Sequence, residues 1–510
     1  MNIATALERS ARLFPNRTAV IYKGQAISYG ELNARVNRLG NSLQGLGIGK
    51  GDHACLMLPN SPEFIISYFA LQKIGAVPVS LNVMFKRDES RYIASDSSAR
   101  LFIIHEALTE NLPERGDLPH LRHIIVVGEG GRDAIPFQEL INKGGEGLRA
   151  LDLNRDDTAA ILYTSATTGL PKGVMLTHAN LTCNSYAACH HLKMTPEDIH
   201  FLALPLFHVF GQNFIMLSAV NSASTILLHE RFIIEEALES IRRHRATILY
   251  GVPTIYLYIL NAEEALVDMT SVRLFFSAAA TMPRSVAEGW RERFKREVNE
   301  GYGLTESSPF ASWNHDYEYR FGSIGSPIEN VEMKVFDEND NELPPGELGE
   351  IVIRGPNVMK GYLGREEDTK EALRSGWLHS GDIGYYDEEG YFYIVDRVKD
   401  MINVAGFKVY PREVEEVLFK HPAVKEAAVI GVPDPVKGEG VKAYIVLKEG
   451  MEMSEEDIID YCKARIASFK APRCVEFIDS LPKSPSGKIL KKELRARESG
   501  RAGHQVAQRS

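Results

Sequence analysis

The sequence predicts an α/β fold: a large N-terminal domain of doubly wound sheets plus a small β-barrel, followed by a small mobile α+β C-terminal domain. Three observations predict it. Short apolar runs alternate with helix-like segments as far as about residue 320, the pattern of parallel strands covered on both faces. From about Gly322 to Ile394 short strands and turns take over. After Arg397 a compact unit with its own helices and strands restarts. The expected boundaries are therefore 1–398, with 322–398 the β-rich part, then 399–495, and a polar tail at 496–510 expected to be disordered.

Taken in order, "AVIYKGQAISYGEL" reads as a hairpin running into a helix. "FIISYFALQKIGAVPVSLNV" is the most apolar stretch, but Lys73, Gly75 and Pro78 interrupt it. It reads as a buried helix and a strand, and no integral membrane segment is expected. "HACLMLPN", "LFIIHE", "HIIVVGE", "AAILYTS", "STILLHE", "ATILYGVP" and "RLFFSAA" are brief strands. "VEMKVFDEND", "GELGEIVIRG" and "GYFYIVD" supply the β-rich part. "VEEVLFKHPAVKEAAVIGVP", "VKAYIVL" and "EEDIIDYCKARI" build the last unit.

Composition narrows the function. The chain has 510 residues, 44% of them hydrophobic, so a large core is available. A net charge of −10 with no long basic run argues against nucleic acid as a partner. The first residues carry Glu8, Arg9 and Arg12 and no apolar core, so no secretory leader is expected. Five cysteines without a CxxC pair suggest free thiols and a cytoplasmic setting. A homodimer is compatible with all of this.

Four stretches carry chemistry. In "YTSATTGLPKGVMLTH" the residues Thr164, Ser165, Ala166, Thr167, Thr168, Gly169 and Lys172 lie between two strands. The spacing is not that of a Walker loop, so backbone N–H groups, hydroxyls and Lys172 would grip phosphate without a helix end. In "EGYGLTES", Gly301 and Gly303 leave room for a flat ring beside Tyr302. Thr305 offers a hydroxyl to phosphate, and Glu306 a hard oxygen ligand to Mg2+. In "SGWLHSGDIGYYDEEGYFYIVDR", Asp382 suits the two hydroxyls of a ribose and Arg397 is placed to reach the same sugar. Lys488, in "LPKSPSGKILKKEL", is a cation on a Pro/Ser/Gly loop, useful where a carboxylate must meet a phosphate. Each stretch alone also reads as a surface turn or a solvated charge.

Together, in this order over residues 5–495, they resemble the adenylate-forming superfamily of AMP-dependent synthetases and ligases. "EGYGLTES", "GWLHSGDIG" and "DRVKDMINVAGFKVYPREVEEVL" look most like fatty-acid–CoA ligases. The resemblance implies that Thr164 to Lys172 is the triphosphate loop, and that Ser277 to Ala280, Gly301 and Tyr302 frame adenine. It implies nucleotide contacts for Gly303, Thr305, Asp382, Arg397 and Lys488, and magnesium at Glu306. It makes Lys399 a hinge and places Gly406, Phe407 and Lys408 at the thioester site and CoA tunnel. Three positions depart from the family: Ala166, and Ala278 with Ala279, stand where glycine is usual, and Gln212 stands where some long-chain ligases carry a gating Trp.

The implied reaction has two steps. A carboxylate attacks the α-phosphate of ATP to give acyl-AMP and pyrophosphate, and the CoA thiol then displaces AMP. Lys488 has no place in the second step, so the resemblance implies rotation of the C-terminal domain about Lys399. The acid is expected near "LPLFHVFGQNF", "LYGVPTIY" and "ESSPFASWNH", with Phe207, His208, Val209, Gly211, Gln212, Tyr250 and Gly251 as candidates. His208 reads either as a group that orients the carboxylate or as an ordinary buried histidine. The expected substrate is a medium- or long-chain fatty acid, with ATP, Mg2+ and coenzyme A. The alternatives are an aryl-acid–CoA ligase of the benzoate or cinnamate type and a luciferase-like adenylating oxygenase.

Overall fold

The computed structural model describes residues 1–129, 134–164, 170–315, 318–397, 400–405, 407–434, 438–484 and 487–498. Two large mixed sheets make the N-terminal part. In an eight-stranded sheet, His53–Met57, Val77–Ser80, Leu101–His105, His123–Val127 and Thr158–Thr164 run parallel, and Lys172–Thr177 turns back beside the last of them. In a nine-stranded sheet, Thr18–Tyr22, Thr225–Leu228, Ile199–Leu202, Ile248–Gly251, Leu274–Ser277 and Asn299–Tyr302 form the parallel centre. Helices cover both faces, so Val77–Ser80, Thr225–Leu228, Ile248–Gly251 and Leu274–Ser277 are buried at every position. That is why these strands read as continuous apolar runs rather than alternating ones.

The helix Pro62–Lys73 opens on a proline and buries every residue except Glu63. Lys73 ends this apolar run without breaking it. Its ammonium donates to Asn33 Oδ1 at 2.7 Å and Asn37 Oδ1 at 2.6 Å, and pairs with Glu8 Oε1 at 2.9 Å. A buried charge needs such partners. Among the described residues no helix is long and apolar enough to cross a membrane. All five cysteines are free thiols.

The segment read as a small barrel contains a four-stranded antiparallel sheet of Glu332–Phe336, Gly349–Arg354, Leu378–Tyr386 and Phe392–Arg397. The C-terminal part is a separate five-stranded sheet under the helices Pro411–Phe419 and Glu455–Lys463. Its core of Ile402, Val414, Leu418, Val429, Ile445 and Ile458 shares no residue with the main core, which runs from Ile3 to Phe392. Two bodies with separate cores can move without breaking either. Gly301 and Tyr302 lie in the strand Asn299–Tyr302.

Candidate active site

The chain just beyond the C-terminal ends of the parallel strands in the nine-stranded sheet lines a cavity of about 1630 Å³, closed on the other side by the C-terminal domain. This is where open α/β sheets present ligand sites.

The antiparallel register sets Asp382 opposite Arg397. Asp382 Oδ1 accepts from Arg397 Nε at 2.8 Å, and Oδ2 accepts from Tyr302 Oη at 2.8 Å. The two residues read as sugar contacts are therefore adjacent, and the Tyr302 phenol, read as a ring platform, is tied to one of them. The two glycines around Tyr302 have a different reason from the one the sequence suggests. A β-carbon at Gly301 would overlap the Phe276 ring, and one at Gly303 the Pro309 carbonyl. The space they free is filled by the protein itself.

Ala278 and Ala279 follow the strand Leu274–Ser277 on the cavity wall. Ala279 has φ +72°, a left-handed conformation that costs a non-glycine residue about 1–2 kcal/mol. The loop is held downstream, where Met282 N–H donates to Glu300 Oε2 at 3.0 Å.

Thr164 and Lys172 are paired across the two strands that flank the loop read as the phosphate grip, and both face the cavity. Ser165, Ala166, Thr167, Thr168 and Gly169 lie outside the described residues. Lys172 Nζ donates to Asp368 Oδ1 at 2.5 Å and sits 5.3 Å from the centre of the Tyr362 ring. Thr305 and Glu306 form the short turn Thr305–Ser307 on the same wall. Tyr362 Oη donates to Glu306 Oε1 at 2.9 Å, and burial pushes the Glu306 carboxyl above its ordinary pKa. Among the described residues no group of three or more His, Cys, Asp or Glu converges on one point. The Glu306 carboxylate fits Mg2+, which binds through one or two carboxylates together with substrate phosphates.

Lys488 arrives from the C-terminal domain on a tight turn. Its amide donates to Ser484 Oγ at 3.1 Å, its carbonyl accepts from Ser484 N–H at 2.8 Å, and Gly487 takes φ +82°. A β-carbon on Gly487 would lie 2.8 Å from Val252 Cγ2, so the turn packs directly against the start of the helix Pro253–Asn261. Lys488 and His208 line the same cavity. Burial, and then the Lys488 charge, push the His208 pKa down to about 3. His208 Nδ1 accepts from Phe210 N–H at 3.2 Å, leaving Nε2–H as the donor of the neutral ring.

Of the acid-pocket candidates, Phe207, His208 and Val209 face the cavity. Gly211, Gln212, Tyr250 and Gly251 lie behind its wall. Gln212 Nε2 donates to Ser80 Oγ at 2.6 Å and Leu206 O at 3.0 Å. Tyr250 Oη bonds His200 Nδ1 at 2.9 Å. Gly211 abuts the Pro205 carbonyl and Gly251 the Tyr256 ring. The wall itself is aromatic: Phe214 stacks on Phe276 with centroids 4.9 Å apart and meets Phe310 edge-on at 4.9 Å. Phe407 and Lys408 are off this cavity, on a hairpin where Lys408 Nζ pairs with Glu338 Oε1 at 3.2 Å and Phe407 packs on Phe469. Lys399 and Gly406 lie outside the described residues.

Sequence reasoning missed Tyr362, Asp368 and Glu300. No motif marks Tyr362 or Asp368, and Glu300 opens "EGYGLTES" without a role of its own there, because each matters only through a partner remote in sequence.

Residues 7–363 match the family of AMP-binding enzymes, and residues 413–488 match the AMP-binding enzyme C-terminal domain. A feruloyl-CoA synthase of Amycolatopsis sp. is 37% identical over 493 residues, covering 96% of this chain and 97% of the relative. A long-chain-fatty-acid–CoA ligase of Escherichia coli O6:H1 is 33% identical over 540 residues, covering 99% and 96%. Among solved structures, the anthranilate CoA ligase AuaEII in complex with anthranoyl-AMP superposes with a TM-score of 0.93 at 31% identity, covering 99% of this chain and 98% of that one. ATP-bound MatB from Rhodopseudomonas palustris gives 0.90 at 32% identity, covering 98% and 99%. The chain thus belongs to the AMP-binding, adenylate-forming enzyme family, and is an acid–CoA ligase that uses ATP, Mg2+ and CoA.

Proposed function

We propose that this ligase activates a hydrophobic monocarboxylic acid, and that a compact aromatic body suits its pocket best. The carrying observation is the wall beside His208. Phe207, Val209, Phe210, Phe214, Phe276 and Phe310 line it, and they bring no cation to meet a second carboxylate. Phe214, Phe276 and Phe310 are each almost fully buried against one another, so a long chain has to displace a packed ring. The aryl-acid relatives support this choice. The medium- or long-chain fatty acid expected from the sequence stays as the second reading, favoured by relatives named long-chain-fatty-acid–CoA ligase at 32–34% identity.

In this reading the acid lies with its carboxylate between His208 and Lys488. Nε2–H of the neutral His208 orients one oxygen, and Lys488 offsets the repulsion as carboxylate and α-phosphate approach. Thr164, Lys172 and Thr305, with the rest of the loop Ser165–Gly169, hold the phosphates. Asp382 and Arg397 hold the ribose. Ala278, Ala279, Gly301, Tyr302 and Gly303 bound the adenine. Glu306 would hold Mg2+, which supplies Lewis-acid charge at the phosphates when bound. After pyrophosphate leaves, the domain beyond Lys399 turns, removing Lys488 and bringing Gly406, Phe407 and Lys408 to the CoA thiol.

The test is acid-dependent pyrophosphate release over fatty, aromatic and dicarboxylic acids, with and without CoA. An aryl monocarboxylic acid is expected to give the highest kcat/KM, and turnover to acyl-CoA is expected only with CoA present. A steady gain per added methylene along a straight-chain series, each worth about 0.8 kcal/mol when buried, would select the fatty-acid reading. Preference for dicarboxylates would contradict both.

A further inference from the structure

The helix Arg87–Asp96 enters none of the steps above, yet three separate pieces of the site are bonded to it. Tyr92 and Asp96 lie four residues apart and so share one face of that helix. Asp96 Oδ2 accepts from Tyr163 Oη at 2.7 Å, and Oδ1 accepts from Arg365 Nη2 at 2.9 Å. The same guanidinium nitrogen donates to Tyr92 Oη at 3.4 Å, and that hydroxyl donates to the Pro171 carbonyl at 2.8 Å. The Tyr92 and Tyr163 rings meet edge-on, with centroids 6.4 Å apart. The Asp96 side chain is only 14% exposed, and both of its oxygens are engaged.

These partners adjoin the residues read as phosphate contacts. Tyr163 precedes Thr164, and Pro171 precedes Lys172. Arg365 follows the strand Gly361–Tyr362, which adds to the edge of Lys172–Thr177 with Tyr362 opposite Val174. Leu363 N–H donates to the Gly173 carbonyl at 2.8 Å. Gly173 in turn lies opposite Tyr163, whose ring is 3.1 Å from where a β-carbon on that glycine would sit. Tyr362 carries the hydroxyl bonded to Glu306. Tyr163, Thr164, Lys172 and Tyr362 line the cavity, whereas Tyr92, Asp96 and Arg365 stand behind them. The three strands that present Thr164, Lys172 and Tyr362 therefore share one anchor, and it lies off the cavity.

We propose that Asp96 is a positioning residue that, through Tyr163 and Arg365, fixes the spacing of Thr164, Lys172 and Tyr362 and so sets the affinity for the triphosphate without touching it. Tyr92 completes the clamp at Pro171. Groups on different strands grip one phosphate chain only while their spacing holds. Loosening the clamp weakens ATP binding and spares both acid binding and the thioester step, which follows the departure of pyrophosphate. The inference rests on the reading of Thr164 and Lys172 as phosphate contacts.

Kinetics on the full chain test it. The KM values for ATP and acid are measured in acid-dependent ATP–pyrophosphate exchange, and thioester formation is measured from supplied acyl-adenylate. Asp96→Ala is expected to raise the KM for ATP about tenfold, the scale of one hydrogen bond to a charged group. The KM for acid and the thioester step are expected to stay within about twofold. Arg365→Met is expected to raise the KM for ATP by less, and the Asp96→Ala/Arg365→Met pair by no more than Asp96→Ala alone. Asp96→Asn, which can still meet Tyr163 and Arg365, is expected to recover part of the loss. Partial unfolding lowers the amount of active enzyme and leaves KM unchanged. An Asp96→Ala effect confined to kcat, equal losses in both half-reactions, or multiplying losses in the pair would each overturn the clamp. If Asp96→Ala does not fold, Tyr163→Phe and Arg365→Met, which each remove one of its contacts, decide by the same comparison. Lys172→Met separates the clamp from the reading beneath it: an unchanged KM for ATP in that variant would refute the phosphate reading itself, and the clamp with it.

Discussion

Burial, and then the Lys488 charge, push the His208 pKa down to about 3, so the ring is neutral near pH 7. In the proposed function it acts as a hydrogen-bond donor, not as a proton source. The adenylation rate should therefore show no ionisation of this ring between about pH 5 and 8. His208→Phe keeps the bulk and removes Nε2–H. It should raise the KM for the acid and lower exchange about tenfold, the scale of one hydrogen bond to a charged group. A rate limb near pH 6.5 that disappears in the variant would assign the ring a proton-transfer role. Glu300 behaves in the opposite sense. Burial raises its pKa from 4.5 to about 7. The folded state keeps this proton where the unfolded chain has lost it, so the group's contribution to stability is full below 4.5 and is lost as pH rises through about 7. Glu300→Gln removes that decline. Relative to wild type it should gain roughly 3 kcal/mol of unfolding free energy between pH 4.5 and 8, read by denaturant titration at both pH values. A constant difference across that range would contradict the burial argument.

Lys172, which the proposed function assigns to phosphate, is already engaged in an ion pair. Lys172 and Asp368 lie 196 residues apart in sequence and meet at 2.5 Å. Phosphate has to compete with this half-exposed pair, which is worth about 0–1 kcal/mol. Asp368→Asn should lower the KM for ATP about two- to fivefold at low salt, and the gain should shrink as ionic strength rises. An unchanged KM would mean that the pair does not compete with phosphate. Elements of this kind mark the limit of what the sequence discloses. Strands buried on both faces, such as Leu274–Ser277, are plain as apolar runs, and the strand–loop–strand setting of Thr164 and Lys172 follows from the alternation after Lys172. Motif residues such as Asp382, Glu306 and Lys488 are readable because their spacing is local. Asp368, Tyr362 and Glu300 are not, since their roles come from partners that only the fold supplies. The glycines of "EGYGLTES" read as room for a flat ring, whereas Phe276 and the Pro309 carbonyl occupy the space beside their α-carbons. Gln212 and Tyr250 fall behind the pocket wall because their polar atoms are drawn to Ser80 and His200.

At the scale of the whole molecule, two bodies with separate cores meet over one cavity, and in the proposed function this arrangement serves adenylation. Lys488 is docked through Gly487 against Val252, while Phe407 and Lys408 are occupied elsewhere, Lys408 with Glu338. Gly487→Val adds a β-branched side chain at φ +82° and against Val252. It should undock the Lys488 turn and depress adenylation more than thioester formation, measured as the two separate half-reactions. An equal fall in both would mean that the turn matters only for folding. The most direct measurement is the same split in Lys488→Ala. Acid-dependent pyrophosphate exchange should fall by a factor of about 10²–10³, the scale for losing one charge-stabilising group. Conversion of supplied acyl-adenylate and CoA to thioester should remain close to wild type. Equal loss of both half-reactions, or exchange that survives intact, would contradict a ligase in which this lysine serves the first step and withdraws from the second.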